Sequence, residues 1–188
     1  MEFKERKLKG VFEITLNPIR DHRGFFMRSY DVKEFEAHGI HREWKQENHS
    51  KSIHTGVVRG MHFQLPPHSE TKMIRCIAGA VWDVFVDLRL GSPTFGQWDA
   101  VELTPENGKQ VYIPRGFGHG FCTLKPNSEV VYKVDNFYNK EAERGILWSD
   151  PDIGIDWPLN GVEPTLSDKD KNNLTLAQFV EEYKGIEL

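Results

Sequence analysis

Residues 80–89 read Ala80-Val81-Trp82-Asp83-Val84-Phe85-Val86-Asp87-Leu88-Arg89, and their alternation decides the fold class. Trp82, Val84, Val86 and Leu88 share one face of an extended strand, while Val81, Asp83, Phe85 and Asp87 share the other. The two carboxylates mark the second face as partly polar, either solvated or lining a cavity. Shorter β-branched runs stand on both sides: Val57-Val58, Lys72 to Ile77, Val101 to Leu103, Val111 to Ile113 and Val130 to Val134. Gly79, Gly91-Ser92-Pro93 and Asn107-Gly108 punctuate them, the last suited to a type I′ hairpin. Many short strands at near-regular spacing predict an all-β sandwich or barrel rather than a βαβ sheet. Helices are expected only near the ends. Asp31 with Glu34 forms a candidate capping box before Phe35, and Thr175 with Gln178 repeats it before Phe179. No repeat, low-complexity run or composition shift divides the chain, so residues 1–188 are expected to form a single domain.

The 188 residues carry 24 Lys plus Arg against 28 Asp plus Glu, a net charge of −4 with the eight His neutral. That length buries a core without metal or disulfide staples, and 38 % hydrophobic with 28 % charged residues suits a globular protein. The acidic balance argues against a nucleic-acid surface, which needs cations to neutralise phosphates. No run approaches the roughly 18 apolar residues of a membrane span, and no apolar signal-peptide region follows Met1. Cys76 and Cys122 set no disulfide framework and are expected to be buried structural thiols in a reducing cytoplasm. Aromatics are plentiful, 12 Phe with 5 Trp and 5 Tyr, which poses the question whether they report a core or a site.

Dinucleotide, P-loop, nucleophile-elbow, zincin and CxxC motifs are all absent. Two histidine segments remain: Arg59-Gly60-Met61-His62-Phe63-Gln64, with Lys72 ten residues beyond His62, and Pro114-Arg115-Gly116-Phe117-Gly118-His119-Gly120-Phe121. Glycines on both sides of His119 remove bulk beside the imidazole, either for a ligand or for a turn. The spacing of Pro114, Gly116 and His119 resembles the second motif of the cupin β-barrels. Metal-binding cupins usually add His-x-His and Glu, whereas here the stretch is His62-Phe63-Gln64 with His68 nearby. Three strong ligands do not assemble from these positions, so no metal is expected.

The match then tightens. Asp21 to Phe26, Gln46 to Ser50, Gly56 to Gln64, Asp83 to Arg89, Gly91 to Gly96, Pro114 to Phe121, Val131-Tyr132-Lys133, Trp148 to Pro151 and Leu166 to Asp170 together resemble the dTDP-4-dehydrorhamnose 3,5-epimerase family. The resemblance runs in order over roughly residues 8 to 171. It implies a cupin-like jelly roll with short helices near both termini. It also implies cofactor-free epimerisation of a nucleotide-linked 4-keto-6-deoxyhexose at carbons 3 and 5, in the biosynthesis of a deoxysugar for a polysaccharide or glycoside. Such chemistry needs a base beside the ketone, a donor near the enolate oxygen and an acid across the ring.

By the family pattern, His62 is the base, oriented by Asp170; Lys72 stabilises the oxyanion, with His119 close to it; and Tyr132 is the proton donor. Arg23 and Arg59 match the arginines that bind the diphosphate. Gln46, Glu47 and Asn48 match a polar binding segment, Tyr138 an aromatic stacked on the thymine, and Glu143 and Lys169 further substrate contacts. The chain departs from the pattern at Arg28, where Glu is common and contacts the nucleoside, at Glu47 for Asp, and at Thr71. An acceptor exchanged for donors at Arg28 leaves the nucleobase and exact sugar open. Three alternatives stand beside this reading: a single-site or different nucleotide-sugar epimerase, a catalytically silent sugar-nucleotide-binding cupin, and a metal enzyme on His62, His68 and His119. The resemblance also implies a homodimer with an exchanged N-terminal strand, for which Gly10 to Leu16 is the candidate edge, and no nucleic-acid or membrane partner.

Overall fold

The stretch that decides the fold class is a strand, Val81–Asp87, but neither of its faces is wet. Asp83 and Asp87 are fully buried, and Val84 and Val86 on the opposite face are buried as well. The computed structural model, which describes Met1–Leu188, shows why. The chain begins with β1 (Glu2–Glu5), β2 (Phe12–Thr15), β3 (Ile19–Asp21), β4 (Gly24–Phe26) and α1 (Val32–Ala37). Its body is β5 (Gln46–Ser52), β6 (Val58–Gln64), β7 (Lys72–Ala78), β8 (Val81–Asp87), β9 (Trp98–Leu103), β10 (Lys109–Ile113), β11 (Phe117–Thr123), β12 (Ser128–Val134) and β13 (Glu143–Gly145). Two short helices follow, α2 (Asp168–Lys171) and α3 (Leu176–Tyr183).

Two antiparallel sheets face each other, one ordered β1-β2-β10-β7-β12-β5 and the other β13-β6-β11-β8-β9. Successive strands from β5 onward mostly change sheet, which is the jelly-roll solution to joining two sheets without long free edges. Between the sheets, Ile74, Val81, Phe85, Val111, Phe117 and Val130 interdigitate. A second apolar layer covers the outer face of the five-stranded sheet, where Val84, Val86 and Leu88 meet Ile153, Trp157, Phe179 and Ile186. A third, with Phe35 of α1, Ile40 and Met73, covers part of the six-stranded sheet. The strand thus lies in the middle of three layers, and its aspartates point inward rather than to water.

Local sequence explains the helices unevenly. Thr175 and Gln178 complete a reciprocal capping box at α3. At α1 the Asp31 carboxylate accepts from the Lys33 N–H at 3.1 Å, with no return bond from Glu34. The expected hairpin at Asn107-Gly108 is instead a crossover, because β9 and β10 belong to different sheets. A type I′ turn needs positive φ at both central residues, and of this pair only Gly108 has it, at +62°. Asn107 instead accepts from the N–H groups of Thr104 and Lys109 at 3.2 and 3.0 Å. Nor is Gly10 to Leu16 a sheet edge: β2 lies between β1 and β10 with Ile14 fully buried, and β1 is the outer strand.

One close approach matters for the site. Gly60 of β6 has φ +138°, and a Cβ there would stand 2.5 Å from Gly120 Cα. A Cβ on Gly120 would stand 2.6 Å from the Arg59 carbonyl oxygen. The glycines beside His119 therefore serve strand contact, not ligand clearance; Gly118 faces Leu88.

The three-layer arrangement predicts that α3 is integral to stability. Phe179, fully buried against the five-stranded sheet, should cost about 3–5 kcal/mol when truncated to Ala, read as a lowered urea midpoint at unchanged slope.

Candidate active site

A cavity of about 550 Å³ opens between the sheets, walled by β5, β6, β7, β11, β12 and β13 and closed on one side by α2. Strand periodicity places most of its wall. On β12 Tyr132 and Val134 point inward, as do Gln46, Asn48 and Ser50 on β5. Arg59 and His62 of β6 break that rule, since residues three apart on a regular strand face opposite ways. Pairing with β11 runs His62 to His119 and then Arg59 to Phe121, so three residues of β6 span two of β11. That bulge, at the glycine contact, turns both side chains into the cavity.

His62 Nε2 lies 2.6 Å from Asp170 Oδ1. Asp170 is 3 % exposed and sits on α2, where the Ser167 hydroxyl accepts the Asp170 N–H at 3.1 Å as the helix N-cap. Burial pushes the Asp170 carboxyl up, but the hydrogen bond and charge of His62, with Ser167 and Lys169, outweigh it and hold the carboxyl below the ordinary value. With Nε2–H directed at a carboxylate, a neutral His62 presents Nδ1 as its free lone pair.

Lys72, at the first position of β7, is 7 % exposed; its ammonium donates to the His62 carbonyl at 3.3 Å and pairs with Glu70 at 3.3 Å. His119 Nε2 lies 2.9 Å from Asp83 Oδ2, which gives the inward aspartate of β8 its purpose. The Tyr132 hydroxyl has no hydrogen-bond partner in the protein. Burial raises its ionisation above the ordinary value, Glu70 and Glu143 add to that, and Arg59 opposes them.

At the mouth the Tyr138 hydroxyl donates to Glu143 at 2.9 Å, Glu143 pairs with Lys169, and the Tyr138 N–H donates to Gln46 Oε1 at 2.7 Å. Arg59 donates to Ser52 Oγ and the Lys51 carbonyl, both at 3.2 Å, and has no carboxylate partner. It is the one cation of the cavity wall left without a counter-ion.

The structure thus gathers His62, Lys72, His119, Tyr132, Asp170, Gln46, Asn48, Arg59, Tyr138, Glu143 and Lys169 around one space. It does not bring Arg23, Arg28 or Glu47 there. Arg23 pairs with Asp21 on the exposed β3–β4 hairpin, Arg28 with Asp31, and Glu47 with Lys133 on the outer face of β5. His68 meets the Asn139 side chain at 3.2 Å instead of joining His62 and His119. Cys76 and Cys122 are buried, and burial lifts both thiols to about 11.

Sequence reading passed over Glu70 and Asp135. Asp135 accepts from the Thr71 N–H at 2.6 Å and is countered by Arg115 and Arg42, which pins the chain just ahead of Lys72. Neither residue stands in a motif that singles it out.

A jelly roll with a histidine–carboxylate pair and a free phenol in its interior defines a cupin-like enzyme built for proton transfer. Comparison with known proteins narrows that class. The family model for dTDP-4-dehydrorhamnose 3,5-epimerase matches residues 5–178, and the chain belongs to that family. The enzyme of that name from Shigella flexneri is 55 % identical over 153 residues, 81 % of this chain and 83 % of the relative. The crystal structure of the Legionella pneumophila dTDP-6-deoxy-D-glucose-3,5-epimerase, in complex with dTDP-4-keto-L-rhamnose, superposes with a TM-score of 0.93 at 38 % identity, covering 100 % of this chain and 98 % of that one. A 3'-monoepimerase from Streptomyces bikiniensis, in complex with dTDP-quinovose, gives 0.88 at 33 % identity, covering 97 % and 91 %.

The His62–Asp170 pair carries a pH signature. Asp170 ionises more readily folded than unfolded, so its contribution is fully present above the unfolded carboxyl value near 3.8 and is lost as pH falls through the lower folded one. The stability gap between the wild type and Asp170→Asn should therefore be constant at neutral pH and close in acid, as measured by urea unfolding across pH 2 to 7.

Proposed function

We propose that the protein inverts a dTDP-linked 4-keto-6-deoxyhexose at carbons 3 and 5, converting dTDP-4-dehydro-6-deoxyglucose to dTDP-4-dehydrorhamnose. One observation carries the reading: His62 stands on the five-stranded sheet and Tyr132 on the six-stranded sheet, so base and acid enter the cavity from opposite walls. Inversion needs that arrangement, because the proton must leave one face of the sugar and return to the other.

His62 Nδ1 takes the proton alpha to the ketone, and the Asp170 carboxylate stabilises the imidazolium that forms. The electron pair moves to the ketone oxygen, where the Lys72 ammonium receives the developing negative charge; His119, with Nε2–H on Asp83, adds to this when Nδ1 also carries a proton. Tyr132 then gives its phenolic proton to the planar carbon from the far side, and burial serves this by keeping the phenol protonated until it is needed. Each cycle leaves His62 protonated and Tyr132 ionised, and exchange with water restores both. No electron leaves the substrate, so no redox partner enters the balance.

Arg59, free of carboxylates, suits the diphosphate by charge-assisted hydrogen bonds. Tyr138, 57 % exposed at the mouth, offers a face for the thymine. The two buried thiols suit a reducing compartment, and the reading places the enzyme in the cytoplasm. A narrower second reading, inversion at one carbon only, is favoured by the likeness to the 3'-monoepimerase.

Turnover in deuterated water tests both. Label at carbons 3 and 5 is expected with the wild type, label at one carbon supports the single-site reading, and no label overturns both. Tyr132→Phe should still wash label in, because His62 returns a proton to the face it took it from, while net inversion falls by about 10²–10⁴-fold.

The reading includes a homodimer. Ile19, Phe25 and Phe26 are 71 %, 57 % and 67 % exposed on the β3–β4 hairpin, an apolar cluster with no cover within the chain. Docked on a second copy, the hairpin would carry Arg23 and Arg28 with it, the route by which they would reach a substrate. Light scattering should give twice the chain mass for the wild type and a shift toward the monomer for Phe25→Asp with Phe26→Asp.

A further inference from the structure

Glu70 belongs to the cavity wall and has no place in the steps above. Its side chain is 13 % exposed, and each carboxylate oxygen has a separate duty. Oε1 pairs with Lys72 Nζ at 3.3 Å, and Oε2 accepts from Gln64 Nε2 at 3.0 Å. Gln64 cannot yield. Its amide nitrogen shares two protons among three acceptors, the carbonyls of His68 and Phe137 standing at 3.0 and 3.2 Å beside Glu70, and its Oε1 accepts from the Asn139 N–H at 2.6 Å. Gln64 is 3 % exposed and saturated by the loops that flank it, so it holds Glu70 as a fixed point rather than a mobile counter-ion.

We propose that Glu70, locked by Gln64, is a positioning residue that holds the Lys72 ammonium in the cavity, ready for the oxygen of the enolate. The inference deepens the epimerase reading and rests on it, since that reaction is what gives the place of Lys72 its importance. An ammonium has three protons. One goes to the His62 carbonyl, and the Glu70 carboxylate holds the charge from one side as an ion pair at 3.3 Å, which leaves protons of the ammonium for the substrate. A lysine stem otherwise samples many rotamers, and ordering it before the substrate binds removes that cost from the chemical step. The pair also tempers the field: an unbalanced cation would bind any anion, whereas a paired one favours an oxygen that gains charge only as the proton leaves.

A second effect follows from the same charge. Glu70 and Glu143 add to the burial that keeps Tyr132 protonated, against Arg59, while His62, Lys72, His119, Tyr138, Lys169 and Asp170 are the other titratable groups of the shared cavity. Removing the Glu70 anion should therefore ease ionisation of the phenol.

Steady-state kinetics of Glu70→Ala and Glu70→Gln on the full chain, with the dTDP-4-keto-6-deoxy sugar, test the proposal. Glu70→Ala is expected to lower kcat about tenfold with KM within about twofold. Glu70→Gln, which keeps an oxygen for Lys72, should recover much of that loss. In both, the alkaline limb of the kcat profile should move to lower pH. A raised KM with unchanged kcat, or two variants like the wild type in rate and profile, would overturn the proposal. If Glu70→Ala fails to fold, the rate of Glu70→Gln and its ammonium signal decide.

A readout free of catalysis separates this inference from the function on which it rests. The Lys72 ammonium, identified with Lys72→Arg, should give a slowly exchanging ¹H–¹⁵N signal in the wild type that Glu70→Gln weakens. A signal unaltered by Glu70→Gln removes the positioning role, whereas absence of turnover by the wild type removes only the epimerase reading.

Discussion

The contact between Gly60 and Gly120 is the constraint on which the site depends. Two neighbouring strands approach there until neither can carry a Cβ, and the register of β6 against β11 slips by one residue. A regular ladder would send Arg59 and His62 to opposite faces, one into the cavity and one into the apolar layer beneath α3. The slip places both inside while leaving Met61 and Phe63 in that layer. Arg59 and His62 thus share a wall because of backbone geometry that only glycine permits.

Around this wall the protein arranges charge with little exposure to water. Asp170 and Asp83 hold one imidazole each, Glu70 holds the lysine, and Asp135 with two arginines holds the chain that leads into it. Nearly every ion in the cavity is partnered, as burial demands. Arg59 is the exception, the neutral Tyr132 hydroxyl likewise lacks a partner, and both line the space a substrate would occupy. The modest overall acidity of the chain therefore says little about its interior, where cation and anion are sorted over a few ångströms.

Legibility varied with the range of the cause. The capping box at α3 and the strand at 81–87 arise from neighbouring residues, and the sequence pattern shows both. Asn107-Gly108 failed as a hairpin because its strands belong to different sheets, a fact decided by the packing of the layers. The aromatics separate into three groups that composition cannot distinguish: Phe85 in the core, Tyr132 and Tyr138 at the cavity, Phe25 and Phe26 on an uncovered hairpin. The one-turn helix α2 went unread, although Ser167 caps it, because four residues make too weak a periodicity.

What the sequence determined by itself is the class of architecture and the family: alternating apolar strands, and motifs in order that carry His62, Lys72, Tyr132 and Asp170 as candidates for the site. Only the tertiary structure decided how they meet. It put His62 and Tyr132 on opposing sheets, turned Arg59 inward through a register slip, and left Arg23, Arg28 and Glu47 outside the cavity. It also gave Gln64, Glu70 and Asp83 their duties. The physical reason is that a side chain's role here is set by a partner distant in the chain, as Asp170 is to His62, and local pattern carries no information on which distant groups the packed sheets bring within hydrogen-bond reach.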